Sequence, residues 1–186
     1  MTQAEQNNNE LLENLGGRGE GLVKENVQES EILVKLKGSF GEGLILTNQK
    51  IYILKWGLMA GNLIGGRCAA FGLANITGLE IKKNLLTGTF EVLTPATQNA
   101  QKSYWGKGAN DAIRSDNVIT FQRNNFKRFS EAVQIGRDLI NKYHSKNEET
   151  TRSNYLTELE RLATLKEKKV ISEEEFQTKK KQILGI

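Results

Sequence analysis

Residues 155–185 read YLTELERLATLKEKKVISEEEFQTKKKQILG, and this stretch predicts two short amphipathic helices joined by a tight turn. Leucines recur at every third position of the first helix, close enough to the helical period to form one apolar stripe. On the second helix, apolar residues return at i, i+7 and i+8. The apolar residues of both helices are Leu156, Leu159, Leu162, Leu165, Phe176, Ile183 and Leu184.

The second helix has a clear start signal in the sequence. Ser172 stands three residues before Glu175, which is the spacing of a capping box. A helical hairpin of this size cannot bury a core of its own. Its apolar residues are therefore expected to form a docking face for the rest of the chain or for another molecule, as in a binding or assembly protein.

Composition limits the class of protein. A chain of 186 residues, with 26% charged and 7% aromatic residues, has room for one ordinary soluble domain and an appendage. No apolar run approaches the length of about 18 residues that a membrane span needs, and the polar, acidic N-terminus lacks the features of a secretory signal. The single cysteine, Cys68, excludes an internal disulfide and fits a reducing compartment. These features predict a cytoplasmic protein.

Charge is unevenly distributed along the chain. Residues 1–30 hold two basic and six acidic side chains, residues 31–144 fifteen and eight, and residues 145–186 nine and eight. The positive middle segment mildly favours anionic lipid or phosphate-bearing partners, although an ordinary solvated surface explains it more simply. Weak attraction to anionic surfaces would use Lys82, Lys83, Lys127 and Arg128. The almost neutral tail makes nucleic-acid binding an unfavoured interpretation.

Changes in amino-acid composition and hydrophobic pattern divide the chain into segments. Residues 1–29 are poor in apolar side chains and include the glycine-rich run 16–21, so they are interpreted as a flexible acidic arm. Short runs rich in β-branched and apolar residues follow and predict about seven strands. The predicted strands are 32–37, 43–47, 50–56, 68–71, 76–82, 87–93 and 118–121. An amphipathic helix then presents one apolar face made of Phe126, Phe129, Val133, Gly136, Ile140 and Tyr143.

Residues 30–144 resemble a bacterial pleckstrin-homology-like (PH-like) domain. The resemblance lies in segments 37–41, 46–55, 75–81, 86–92 and 118–121, followed by the amphipathic helix. It implies an α+β fold in which a seven-stranded antiparallel β-barrel is capped by a C-terminal helix. The lysine-rich signature of phosphoinositide-binding PH domains is absent, because Lys35 and Lys37 are followed by Glu42 where a second cation would stand.

Residues 152–186 resemble the short C-terminal domain called SHOCT, with residues 145–151 as a polar linker before it. The resemblance rests on the leucine repeat, on residues 170–176 (VISEEEF), and on the later Lys179-Lys180 and Ile183-Leu184. Lys169 departs from the family at a turn position where glycine is usual, and a left-handed backbone there would cost lysine about 1 kcal/mol.

Catalytic signals are weak throughout the sequence. His144 is the only histidine and Cys68 the only cysteine, so neither a histidine-based metal cluster nor a Cys–His nucleophile pair is expected. The acidic residues show no distinctive spacing. We therefore expect a protein that is not an enzyme and has no metal or cofactor.

The apolar, glycine-rich loop at residues 56–66 leaves two interpretations open. Its large apolar residues are Trp56, Leu58, Met59, Leu63 and Ile64. If exposed, they would form a patch for a partner or a membrane surface. Alternatively, the loop folds back over the barrel or contacts the C-terminal hairpin. A second loop, 94–116, is long and polar. Its core at residues 103–108 could stack on a ligand, but the favoured interpretation is that Trp105 pins the loop to the barrel.

Taken together, the sequence predicts a non-enzymatic interaction or scaffold protein. The hairpin would mediate homo-oligomerisation or docking to a protein partner. The alternative is a peripheral membrane protein at the inner face of the membrane, which would bind anionic lipid through the 56–66 loop and nearby lysines.

Overall fold

A computed structural model describes residues 10–27, 31–57, 65–98 and 115–184. The chain divides into two units, Met1–Ile140 and Asn141–Ile186, and the boundary falls inside one long helix. The first unit contains two antiparallel sheets, and the second is helical. The predicted α+β class is therefore confirmed.

The first sheet has the strand order β1-β2-β3-β4 and the second has the order β5-β6-β7, with all neighbours antiparallel. The strands are β1 (Ile32–Lys37), β2 (Glu42–Thr47), β3 (Lys50–Trp56), β4 (Gly66–Gly72), β5 (Gly78–Lys83), β6 (Thr87–Leu93) and β7 (Val118–Gln122). The seven predicted strands are confirmed with small shifts of their ends. Over the described ranges they form two separate sheets, and no ladder joins these into a closed barrel.

Strands β2 and β3 are buried on both faces. The cross-strand pairs Leu44↔Ile53 and Leu46↔Ile51 share one face, because paired residues of antiparallel strands point to the same side. The other face carries Ile45, which pairs with Tyr52. All these side chains are buried. The near-continuous apolar runs of these two strands thus reflect a sheet that is covered on both sides.

The N-terminal segment supplies one of these covers, which corrects the predicted arm at residues 1–29. Residues 10–27 include helix α1 (Gly17–Asn26). Leu15, Val23 and Val27 form one core cluster with Ile45, Tyr52 and Leu54 of the first sheet. Residues 1–9 and 28–30 lie outside the described residues.

The glycine-rich run is part of this contact rather than a linker. A Cβ atom on Gly19 would lie 2.6 Å from Leu15 Cβ and 3.0 Å from Trp56 Cη2, so only glycine lets α1 approach the sheet this closely. The flexible arm was predicted from low apolar content. That criterion failed because a few buried side chains, spaced along residues 11–27, are enough to cover the sheet.

The second sheet packs against the start of a long helix, α3 (Phe126–Glu167), which follows a 3₁₀ turn at Arg123–Asn125. The ring of Phe129 stacks on Phe121 of β7 at 3.9 Å. A Cβ atom on Gly136 would lie 2.5 Å from Leu79 Cδ1. Phe129, Val133 and Ile140 are buried, which confirms the predicted apolar face of this helix.

The predicted linker at residues 145–151 is instead part of α3. The hydroxyl groups of Ser145 and Thr150 donate hydrogen bonds to the carbonyl oxygens of Asn141 and Lys146, four residues earlier. Polar residues that bond back to the helix in this way remain compatible with it. A polar composition was therefore not sufficient grounds to expect a break.

The second unit contains the rest of α3 and helix α4 (Glu173–Leu184), joined by a turn at residues 168–172. A four-residue helix, α2 (Pro95–Gln98), and a 3₁₀ turn, Leu73–Asn75, complete the described elements. None of the described helices combines the length and the apolar character that crossing a membrane requires.

Candidate functional site

The turn of the C-terminal hairpin is a Schellman motif. The Val170 amide donates to Leu165 O at 3.0 Å, and the Lys169 amide donates to Lys166 O at 2.9 Å. These are the two hydrogen bonds that define this helix ending. Lys169 has a φ of +56°, the left-handed backbone that glycine normally supplies. Lys169 thus adopts the left-handed conformation despite its cost, and the turn keeps the geometry usual for glycine.

Replacing this lysine should stabilise the turn. We expect Lys169→Gly to gain about 0.5–1 kcal/mol of local stability, because glycine adopts a positive φ without the Cβ clash but loses more chain entropy. The measurement is native-state hydrogen exchange at the Glu175 and Phe176 amides. Lys168→Gly, one residue earlier, is the control and should not stabilise. Equal or lower protection in Lys169→Gly would contradict the strain argument.

A reciprocal capping box starts α4, as the spacing predicts. The Ser172 amide donates to Glu175 Oε2 at 2.8 Å, and the Glu175 amide donates to Ser172 Oγ at 3.2 Å. These bonds satisfy two backbone donors around the first turn of the helix. Hydrogen bonds from Ser172 lower the pKa of Glu175. Hydrogen bonds from Gln177 and Lys166 lower the pKa of Glu173.

The hairpin should therefore loosen in acid. Both carboxyl groups have a folded-state pKa below the usual value of 4.5, so the stability they contribute is complete above that value and is lost as the pH falls through the lowered pKa. We expect protection factors of α4 amides to decrease as the pH falls below this value. Ser172→Ala should weaken this pH dependence. A flat profile in the wild-type chain would contradict the capping account.

The seven predicted docking residues fall into two groups. Leu162 is buried, and Leu159, Phe176 and Ile183 are half-buried. The exposed group contains Leu156, at 63% exposure, together with Leu165 and Leu184. The structure thus divides the predicted stripe into a buried part and a part that faces solvent.

Two exposed apolar residues were missed by the sequence interpretation. Tyr155 lies beside the leucine stripe, and Val170 follows the strained lysine and is 66% exposed. In a Schellman motif the residue at the Val170 position often contacts the end of the preceding helix, so its position could have been inferred from the turn. These two residues join Leu156, Leu165 and Leu184 in the set that we call the exposed hairpin face.

Two shallow grooves on the hairpin continue this face. One is lined by Leu162, Leu165 and Ile171 and is bordered by polar side chains of α4. The other is lined by Tyr155, Ile183 and Leu184, with Glu158, Lys179 and Gln182 at its rim. An apolar centre with a polar rim is the usual anatomy of a protein-binding surface.

Polar contacts fix the two helices of the hairpin relative to each other. Lys166 Nζ lies 2.6 Å from Glu173 Oε2 and 4.6 Å from the centre of the Phe176 ring. The lysine thus links the end of α3 to the start of α4 through an ion pair and a cation–π contact. The exposed face is therefore carried on a defined hairpin.

Comparison with protein families identifies this hairpin. Residues 157–184 match the model of the short C-terminal domain, SHOCT. The predicted resemblance of the tail is confirmed for these residues, and the SHOCT hairpin therefore includes the turn, the capping box and most of the exposed face. No curated protein and no solved structure matches the chain.

The predicted 56–66 patch is only partly described. Trp56 is not a free anchor, because its ring packs against the sites of Gly19 and Gly43 and joins the core cluster under the N-terminal segment. Leu58, Met59, Leu63 and Ile64 lie outside the described residues, as do residues 99–114 of the second loop, including Trp105. Trp56 is therefore half-buried against the N-terminal segment.

A buried ion pair within the first sheet, hydrogen-bonded to the second sheet, was not predicted. Lys55 Nζ lies 3.3 Å from Glu42 Oε1, and the two side chains are 1% and 0% exposed. Glu42 Oε2 accepts hydrogen bonds from the Thr120 amide at 2.9 Å and hydroxyl at 2.5 Å, and Lys55 donates to Ser115 O at 2.8 Å. Burial raises the pKa of Glu42 and lowers the pKa of Lys55.

Further buried polar contacts lie at the start of β7. Asn117 donates to Glu91 Oε1 at 3.2 Å and to Val92 O at 2.9 Å, which ties the start of β7 to β6. Burial also raises the pKa of the Cys68 thiol. Within the described residues no group of His, Cys, Asp and Glu side chains could hold a metal ion.

Proposed function

We propose that this protein is a non-enzymatic interaction protein that associates through its SHOCT hairpin, either with a second copy of the chain or with a protein partner. The observation that carries the proposal is the exposed hairpin face. Helix α4 has no buried residue within its described span, although its sequence is amphipathic. Large apolar side chains on a small, capped and defined hairpin favour association, because burying a leucine contributes about 1.5–3 kcal/mol.

The first unit would serve as a PH-like scaffold that carries the hairpin. What supports this part is the order of elements: four consecutive antiparallel strands, then three, then a helix packed on the second sheet. Its buried sheets and the covering N-terminal segment give it a core of its own. The single cysteine supports a cytoplasmic location for the protein.

A second copy of the chain is the first occupant to test. Self-association would place the apolar centres of two hairpins against each other, with their charged rims at the edge. Both acidic and basic groups stand at that rim, Glu158 and Lys179 among them, so two identical faces can pair opposite charges. This arrangement does not need any residue of the first unit.

Light scattering tests the proposal on the full chain and on a 1–150 truncation. We expect the full chain to have a mass above the 20.8 kDa of one copy at high micromolar concentration, and the truncation to be monomeric. Because the truncation cuts α3, point variants in the full chain must give the same result. Equal monomeric masses for the full chain and the truncation would contradict self-association through the hairpin.

A further inference from the structure

The turn between β5 and β6 exposes two consecutive leucines. Leu85 is 80% and Leu86 is 79% exposed. The Asn84 amide donates to Thr87 O at 2.8 Å, so the turn is closed at its base. Adjacent leucines at the apex of a closed turn are costly to leave in water.

The leucines are held in place by the 3₁₀ turn that follows β7. Arg123 Nη1 donates to Leu85 O at 2.8 Å, and the Arg123 amide donates to Leu86 O at 3.2 Å. Lys83 Nζ lies 4.9 Å from the centre of the Phe126 ring, which joins the turn to the start of α3. The apex is thus a fixed projection of the first unit.

The segments that form the turn and the start of α3 have an excess of basic residues. Residues 82–88 and 118–129 contain no acidic residue, whereas their basic residues are Lys82, Lys83, Arg123, Lys127 and Arg128. Three of these basic residues form ion pairs with acidic residues outside the two segments. Glu80 pairs with Lys82, Glu131 with Lys127, and Glu13 with Arg128. Lys127 nevertheless remains 86% exposed, 3.9 Å from its acidic neighbour.

We propose that this turn binds an anionic lipid surface, with Leu85 and Leu86 entering the headgroup boundary and the surrounding cations contacting lipid phosphates and carboxylates. Charge complementarity selects this partner, because clustered cations beside a membrane surface are attracted by anionic lipids. The shape agrees with it. A narrow apex offers little of the roughly 800 Å² per partner that a standard protein interface buries, whereas a bilayer accepts a small projection.

Sedimentation of the full chain with vesicles tests the proposal. We expect binding to phosphatidylcholine vesicles that contain phosphatidylserine, weaker binding to phosphatidylcholine alone, and loss of binding at high salt. Leu85→Ser/Leu86→Ser should weaken binding at least about tenfold. Lys83→Ser and Lys127→Ser should each weaken it about fivefold.

Leu12→Ser is the matched control, since it removes an exposed leucine outside both the turn and the hairpin, and its vesicle binding should equal that of the wild-type chain. The proposal is overturned if the wild-type chain does not bind anionic vesicles, which would leave the turn to a protein partner. It is also overturned if binding is equal on neutral vesicles or persists in Leu85→Ser/Leu86→Ser. If vesicle binding persisted in Leu85→Ser/Leu86→Ser but was lost in Leu58→Asp/Met59→Asp, the 56–66 loop would be the membrane contact instead.

The lipid test and the association test have separate outcomes. Leu85→Ser/Leu86→Ser should leave the mass measured by light scattering unchanged, because the turn is not part of the hairpin. Failure of self-association would therefore not remove lipid binding, and failure of lipid binding would not remove self-association.

Discussion

Lys55→Met is expected to lower the free energy of unfolding of the first unit by about 3–5 kcal/mol, because it leaves Glu42 as a buried charge without its cation. The Thr120 hydrogen bonds to Glu42 would remain, but they do not neutralise the carboxylate. Ser115 O would also lose its donor. Urea denaturation measures this change as a shift of the midpoint at constant slope.

Two comparisons make this result specific. The double variant Glu42→Leu/Lys55→Met should recover at least half of the loss, since a buried ion pair replaced by apolar side chains costs little by comparison. Lys82→Met removes a cation from an ion pair whose side chains are 44% and 43% exposed and should change stability by less than about 1 kcal/mol. If Lys55→Met lowered the free energy of unfolding by as little as Lys82→Met, less than about 1 kcal/mol, the buried pair would not be important for stability.

Leu15→Ala is expected to cost about 2–4 kcal/mol, as large-to-small substitutions in a core do. Leu15 is 1% exposed and contacts the sheet at Gly43, where a Cβ atom would lie 2.8 Å from Leu15 Cδ1. A mobile acidic arm would instead make the substitution almost neutral. The urea midpoint therefore distinguishes an integral N-terminal segment from an arm.

Leu12→Ala is the matched control for this prediction. Leu12 precedes Leu15 by three residues but is 45% exposed, so its substitution should cost less than about 1 kcal/mol. If the two variants were equally stable, the N-terminal segment would not be part of the core, and the contacts of α1 with the first sheet would be of little consequence for stability.

Features determined by local sequence were predicted well. The seven strands follow from runs of β-branched and apolar residues between turn signals. The capping box follows from the spacing of Ser172 and Glu175. Each depends on a few neighbouring residues whose backbone hydrogen bonds have few alternatives.

Features that depend on distant contacts were missed. The N-terminal segment has too few apolar residues to predict burial, and its glycines are explained only once Trp56 is seen against Gly19. In the sequence, Glu42 and Lys55 have the pattern of ordinary polar strand residues. The sequence does not show that Thr120 of β7 contacts Glu42, or that Ser115 contacts Lys55. The docking stripe was predicted as one set, whereas the structure buries Leu162 and leaves Leu156 exposed.

The central claim is that the exposed hairpin face joins copies of this chain. Light scattering across a dilution series of the full chain, compared with Leu156→Asp/Leu184→Asp, tests it most directly. Both leucines are exposed, so the substitutions should leave the fold intact. We predict a mass that rises above 20.8 kDa with concentration for the wild-type chain, and association at least about tenfold weaker in the variant. A wild-type chain that is monomeric at every concentration, or a variant that associates equally well, would contradict the claim.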